Sequence, residues 1–305
     1  MEPDRLQLRN YTFLGLLGIA TFPAILYIEW FAPGNAPDLL IKWHLPASIA
    51  GFFLLMLAQF KHKTYKKAYK HIIIREIFAT IAPELEYSPS GFVPRHIYES
   101  SKLFPQLHSS YQGDDFLTGQ MGKTDVMFSE LHTELFEGGK DDSKRSTSIF
   151  RGFFFSADFH KETSGETYVL PDLAEKRLGL VGKFLQKKNP VKHAGKLIQL
   201  EDKAFEKEFV VYGTDQVEAR YCLTPTMMKA LLRLQRQFKS KVYVSFRHSR
   251  INISISSNKN NFEPRVWQSG IDPSMISQMR VLFTLLISIV EGLNLNTRIW
   301  GKKAS

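Results

Sequence analysis

The chain has 305 residues, a formal net charge of +10, 44% hydrophobic and 23% charged residues. That length holds one large domain or two small ones with a proper core beside any membrane segment. A single cysteine, Cys222, excludes an intrachain disulfide, suits a reducing compartment and reads as a buried, inert thiol in an apolar, strand-like stretch.

The apolar residues crowd towards the N-terminus. Tyr11 to Phe31 is an apolar run with one charged residue, Glu29, near its end. At about 1.5 Å per residue it crosses a hydrocarbon core of about 30 Å, and the mid-run Pro23 is compatible with a kinked span. Trp43 to Phe60 forms a second run, after a short loop holding Pro33, Gly34 and Pro37. A pair of buried core helices and a cleaved signal peptide are the alternatives. The length of both runs and the acids Glu2 and Asp4 in the first segment argue against them. Arg5 and Arg9 precede the first run and six basic residues follow the second, whereas the loop between carries only Lys42. The positive-inside rule then places both termini in the cytoplasm, with Trp30 and Trp43 at the outer interface. Glu29 is expected to reach interfacial water.

Residues 61–82 read as a basic amphipathic neck helix. Tyr65, Tyr69, Ile73, Ile77 and Ile81 recur every four residues and share one face, and Pro83 ends the run. Lys61, Lys63, Lys66, Lys67 and Lys70 are the candidate contacts to anionic lipid, at about 1 kcal/mol per basic residue near the surface. Their competing role is to hold the chain ends inside. No nucleic-acid module pattern is present, so no nucleic-acid partner is expected.

The remainder, 83–305, reads as a cytoplasmic α+β domain: a mostly antiparallel sheet with packed helices. Residues 83–111 look like loops around a short helix near Pro94 to Ser101. Strands are expected over Thr124 to Phe136, Thr147 to His160, Glu166 to Leu170 and Lys196 to Glu201, with a polar insertion over 173–196. Phe205 to Leu223 reads as a hairpin turning at Gly213 and Asp215. Thr224 caps a helix that starts at Pro225. Lys241 to Phe246 and Ile251 to Ser256 alternate as a second hairpin. Pro273 to Leu293 reads as a helix too briefly apolar for a third span and nearly all-round apolar, with Trp300 returning over an edge.

Several motifs invite a chemical reading. Gly122-Lys123-Thr124 lacks the upstream glycine of a phosphate loop, because Leu117 stands there. None of the nine histidines has zinc-site spacing, and His132 and His160 read as structural. Asp114-Asp115 and Asp141-Asp142 read as solvated loop acids, and Glu218 with Arg220 as a strand-edge ion pair. No catalytic constellation, cofactor motif or metal set is found.

Five stretches resemble a bacterial membrane-protein family known as domain of unknown function 3137. They are SKLFPQL at 101–107, GQMGKTDVMFSELH at 119–132, FRGFFFSADFHK at 150–161, LEDKAFEKEFVVYGTDQVEARYCLTPTMM at 200–228 and LNLNTRIW at 293–300. The resemblance implies an N-terminal membrane hairpin before the domain and a place in the bacterial inner membrane. It hints at a LemA-type membrane protein as partner, and it supplies no activity and no catalytic residues. These features favour a cytoplasmic-face interaction or scaffold module. A membrane-tethered enzyme, or a subunit of a channel or transporter assembled from several copies, is the alternative.

Overall fold

The structure, a computed structural model, describes residues 1–31, 38–138, 144–158, 165–172, 195–267 and 271–300. Residues 32–37 of the expected loop between the two apolar runs, most of the 173–196 insertion, Asp141-Asp142 and His160 lie outside these residues, and 38–42 of that loop are helical. The chain divides into two compact units: Met1–Glu76 with Phe262–Ser274, and Ile77–Asn261 with Met275–Ser305.

The first unit contains α1 (Glu2–Phe31) and α2 (Asp38–Tyr69), followed by a π-helical turn at Lys70–Ile74. The two helices meet through small residues. A Cβ on Gly18 would lie 2.6 Å from the Ala47 carbonyl oxygen, and one on Gly51 2.7 Å from that of Gly15. Beside them the Thr21 and Ser48 hydroxyls lie 3.1 Å apart. Close backbone approach with a polar clasp is how helices associate where water supplies no hydrophobic drive. The large apolar side chains, including Phe13, Leu17, Phe22, Trp43, Phe53 and Phe60, are exposed instead.

The π turn alters the expected stripe. Tyr65 and Tyr69 are buried as predicted, but the next buried positions are Ile74, Phe78 and Ala82 rather than Ile73, Ile77 and Ile81. A π turn accommodates one extra residue, so every position after it moves to a new face. Helix α3 (Arg75–Ile81) completes the run and stops before Pro83.

The second unit is α+β. Among the described residues its sheet has nine strands, all paired antiparallel: β1 (Leu85–Ser88), β2 (Ser110–Met121), β3 (Thr124–Gly138), β4 (Lys144–Asp158), β5 (Thr167–Pro171), β6 (Lys196–Ile198), β7 (Phe209–Gly213), β8 (Val242–Arg247) and β9 (Arg250–Ser256). They lie in the order β1-β2-β3-β4-β9-β8-β5-β7-β6. Helix α4 (Arg95–Ser100) sits in the connection before β2. Gly122 and Lys123 form the two-residue turn between β2 and β3, with φ of +66° at Gly122 and Met121 paired to Thr124. The tip of the β8–β9 hairpin likewise puts His248 and Ser249 in the left-handed region, the twist that a two-residue hairpin needs.

Three expectations fail locally. The expected loop region 83–111 holds strand β1 and the start of β2, and the supposed loop acids Asp114-Asp115 lie within β2; a bulge between Asp114 and Leu117 and two glycines break its alternation. The 205–223 hairpin does not form. After β7 the Asp215 carboxylate accepts from the Val217 and Glu218 amides at 2.7 and 3.0 Å, and the chain turns into α6 (Gln216–Cys222). A short helix α5 (Lys203–Glu206), capped in the same way by Asp202, precedes β7. Finally, the last helix continues through LNLNTRIW: α8 runs Pro273–Trp300.

Helix α7 (Pro225–Phe238) begins as expected, with the Thr224 hydroxyl accepting from the Met227 amide at 3.3 Å. The central strands are buried on both faces, and Phe153, Phe154 and Phe155 in succession are almost wholly inaccessible. One face receives Phe283 of α8, whose ring lies 5.1 Å from Phe128 and 5.5 Å from Phe78. The other is covered by the 93–104 segment, where Tyr98 and Phe104 pack with Phe150 and Phe154. Buried positions on α8 are Met275, Met279, Leu282, Phe283, Leu286, Ile289, Val290 and Leu293. That 3–4 spacing is a one-sided stripe, with Arg280, Thr284 and Glu291 exposed opposite, so the helix is not apolar all round.

Candidate functional site

The basic neck is built on the last turns of α2 and on the segment that follows β9. Phe262–Ser274 belongs to the hairpin unit, a link between segments far apart in the chain that local sequence patterns do not show. Arg5, on α1, donates to the Val266 carbonyl at 3.0 Å and pairs with Glu2. Val266 packs against Leu8, Ala58 and Tyr65. Around it, Leu8, Thr12, Leu55, Gln59, His62 and Trp267 line a concavity of about 460 Å³.

The five neck lysines divide by environment. Lys61 donates to Gln7 Oε1 at 2.8 Å and lies 5.3 Å above the Tyr11 ring centre, a cation–π contact. Lys66 and Lys70 both face Glu263, at 2.5 and 3.7 Å, and Lys70 is buried. Lys63 and Lys67 are exposed. Glu263 therefore tempers the charge of one side of the neck. Lys61, Lys63 and Lys67 remain as cationic tips on the neck, and Trp267, which lines the concavity with Gln59 and His62, is 57% exposed. Sequence reasoning missed Glu263 and Trp267. The available signal was a lone tryptophan beside Arg265 and Val266 in a segment with no core periodicity.

Elsewhere the structure sorts the other candidates. The Gly122-Lys123-Thr124 stretch is a hairpin turn with no helix after it, which removes the phosphate-loop reading. Asp114 and Asp115 are not loop acids: they occupy the β2 bulge, and Asp115 is fully buried with φ of +58°. With Glu130 they bring one carboxylate oxygen each within 4.8 Å of one another, three of the oxygen ligands that a hard divalent cation takes. Tyr87 donates to Asp115 and the Asn261 side chain donates to Glu130 at 2.8 Å. Burial, followed by the Asp115 charge and hydrogen bond, pushes the Tyr87 hydroxyl far above its ordinary pKa.

Glu218 and Arg220 lie on α6 rather than on a strand. Glu218 accepts from the Gly165 amide at 2.9 Å and Arg220 reaches the Gln199 carbonyl at 3.4 Å. Cys222 is buried on the same helix. Half-buried His132 lies 3.7 Å from Glu134, beside Ser148. On the sheet face covered by α4, Arg247 pairs with Glu166 and donates to the Ser100 carbonyl. Beside it, Arg250 faces Asp158 and Ser156, and Asn252 links Ser156 to Ser245. Burial alone would raise the Glu166 carboxyl, but hydrogen bonds from Arg247 and Tyr168, with the Arg247 charge, hold it below its ordinary value. This network ties five elements together.

The region holding most of these residues is also the region that matches a family model. Residues 148–295 match the family described as a protein of unknown function, DUF3137. That match supports the resemblance read from the sequence, over β4 to α8; the stretches at 101–107 and 119–132 lie outside it. No curated protein and no solved structure matches the chain. DUF3137 carries no assigned chemistry, so functional inference rests on the geometry.

Among the described residues, three helices are long and apolar enough to cross a membrane: Glu2–Phe31, Lys42–Ile81 and Pro273–Leu293. In their most apolar windows only 11% of the residues of each of the first two are buried, against 39% for the third.

Proposed function

We propose that this protein is a membrane-anchored interaction module. Helices α1 and α2 span the bilayer, the neck lies at the cytoplasmic interface, and the DUF3137 region presents a folded surface in the cytoplasm. The observation that carries the reading is the inverted packing of the hairpin. Small and hydroxyl side chains meet between the helices while Phe, Leu and Trp point outward along both. In water such a belt would aggregate; in lipid it is the solvated surface. The Lys and Arg bias sets the orientation, and Lys61, Lys63 and Lys67 supply the contacts to anionic headgroups. Helix α8 fits poorly as a third span, because its apolar stripe is already spent on the sheet.

The test is a pair of reporter fusions active only outside the cytoplasm, one after residue 36 and one at the C-terminus. Activity at the first site alone is expected. Activity at the C-terminus overturns the orientation, and release of the protein by carbonate or salt washing overturns the anchoring.

A further inference from the structure

A second concave surface lies wholly in the sheet unit, far in sequence from the hairpin. A cleft of about 720 Å³ opens where α7 hands over to β8 and where β9 leaves the sheet, with the outer end of β4 and Gln278 of α8 completing its wall. Its volume falls within the range of sites that hold small ligands. Four cations line it, Arg151, Lys239, Lys241 and Lys259, and no Asp or Glu does so among the described residues. Arg151 donates to Asn260 Oδ1, so its position is fixed without its charge being cancelled. Phe104 and Tyr243, with ring centres 5.2 Å apart, give the cleft an aromatic floor. Around the cations stand neutral donors, among them Ser240, Ser257 and Asn258.

Surface lysines are ordinary, and a lysine at a helix C-terminus is favoured by the helix dipole. That explains Lys239 alone. It also leaves a cost, because Lys239 sits at φ of +48°, where glycine is the usual occupant. Lys241 follows two residues on in the same connection, Arg151 and Lys259 come from β4 and from the segment after β9, and the four line one concavity with no carboxylate in its lining among the described residues. Like charges gathered in this way repel one another unless an anion joins them. All lining residues but Phe104 fall within the DUF3137 match.

We propose that this cleft binds a phosphate-bearing ligand, either a free phosphorylated small molecule or a phosphorylated lipid headgroup. The guanidinium of Arg151 supplies a planar fork for phosphate oxygens, and the lysines supply mobile point charges around it. The proposal stands on the sheet unit alone, so a failed topology test leaves it intact.

The experiment uses the full-length protein in zwitterionic micelles. Calorimetric titration is performed with inorganic pyrophosphate and, separately, with short-chain phosphatidic acid. A cleft variant combines Arg151→Gln, Lys239→Gln, Lys241→Gln and Lys259→Gln. A control of equal net charge combines Lys203→Gln, Lys207→Gln, Lys229→Gln and Arg233→Gln, all at exposed positions away from the cleft. Affinity should fall at least ~10-fold in the cleft variant and less than ~2-fold in the control. If the cleft variant misfolds, the triple lysine variant that keeps Arg151 is judged by the same criterion. Binding of pyrophosphate identifies a free phosphate compound as sufficient, and binding of phosphatidic acid alone identifies the headgroup. Equal losses in cleft variant and control, or no binding of either probe, overturn the proposal.

Discussion

The two units use the same kinds of residue in opposite senses. In the hairpin unit, Gly15, Gly18 and Gly51 lie inside and Phe, Leu and Trp lie outside. In the sheet unit, Phe128, Phe153, Phe154, Phe155 and Phe283 are inside, and lysines and arginines are outside or paired with acids. On the proposed membrane anchoring, the difference is one of solvent. Burial of apolar area drives folding only where the alternative is water. Where the alternative is lipid, close backbone contact and hydrogen bonds decide which side chains turn inward. Helix α8 is the instructive case: it has the composition of a span and the burial pattern of a core helix.

The sharpest way to break this comparison is to make one kind of change on both sides of it. Leu286 on α8 is fully buried. Leu286→Asp should destabilise the sheet unit by about 4 kcal/mol or more, because it strands a charge in the core. Phe22 on α1 is 45% exposed in the hairpin. Phe22→Asp should leave that unit's melting unchanged in detergent, but oppose membrane insertion by about 3 kcal/mol. Near-ultraviolet circular dichroism and the membrane-integrated fraction read the two effects. If Leu286→Asp leaves the melt untouched while lowering insertion, α8 faces lipid and the comparison fails.

A smaller effect separates the units by pH. Glu166 is held below its ordinary pKa in the fold, so its pairing stabilises fully above the unfolded value. That contribution disappears as pH falls through the folded value. The sheet unit should therefore lose stability as pH drops below the ordinary carboxylate range, about 4.3. Glu166→Gln should remove about 1 kcal/mol near neutrality and flatten that acid limb. The figure is modest because the carboxylate is 31% exposed and water screens it. An unchanged acid limb in the variant means that other carboxylates control it.

How much of this was legible in the sequence follows from range. The two long apolar helices of the hairpin, the Thr224 cap, the β8–β9 hairpin and the α8 helix are written in local periodicity and capping residues, and local rules read them. Strand β2 was missed because Gly113, Asp115 and Gly119 serve its bulge and close packing and so erase its alternation. The 216–222 helix was missed because Val217, Tyr221 and Cys222 favour strands, whereas one cap at Asp215 decides the matter. The Asp114-Asp115-Glu130 trio, the four-cation cleft and the Glu263 clamp on the neck lysines each join segments distant in sequence, and no pattern within a window contains them.

That clamp makes the last prediction, and the smallest effect. The start of the exposed apolar belt on α1 is near Phe13, and its end on α2 is near Phe60. Trp267 lines the same concavity as Thr12 and Gln59, one step from both limits. An exposed indole at that level matches the headgroup region, where one end of the ring meets hydrocarbon and the N–H meets water. Trp267 should thus act as a third contact to the membrane, brought there by the post-β9 segment rather than by a span. In a variant with Trp30, Trp43 and Trp300 changed to Phe, Trp267 emission should be quenched by lipids brominated near the headgroup end. Lipids brominated near the chain terminus should quench it less. Lys63→Gln and Lys67→Gln should weaken the neck's preference for anionic lipid by about 1 kcal/mol each, and less at high salt. Lys66→Gln should change it less, because Glu263 already holds that charge. Full quenching by aqueous iodide with no effect of bromine would place Trp267 in water and leave the hairpin as the sole anchor.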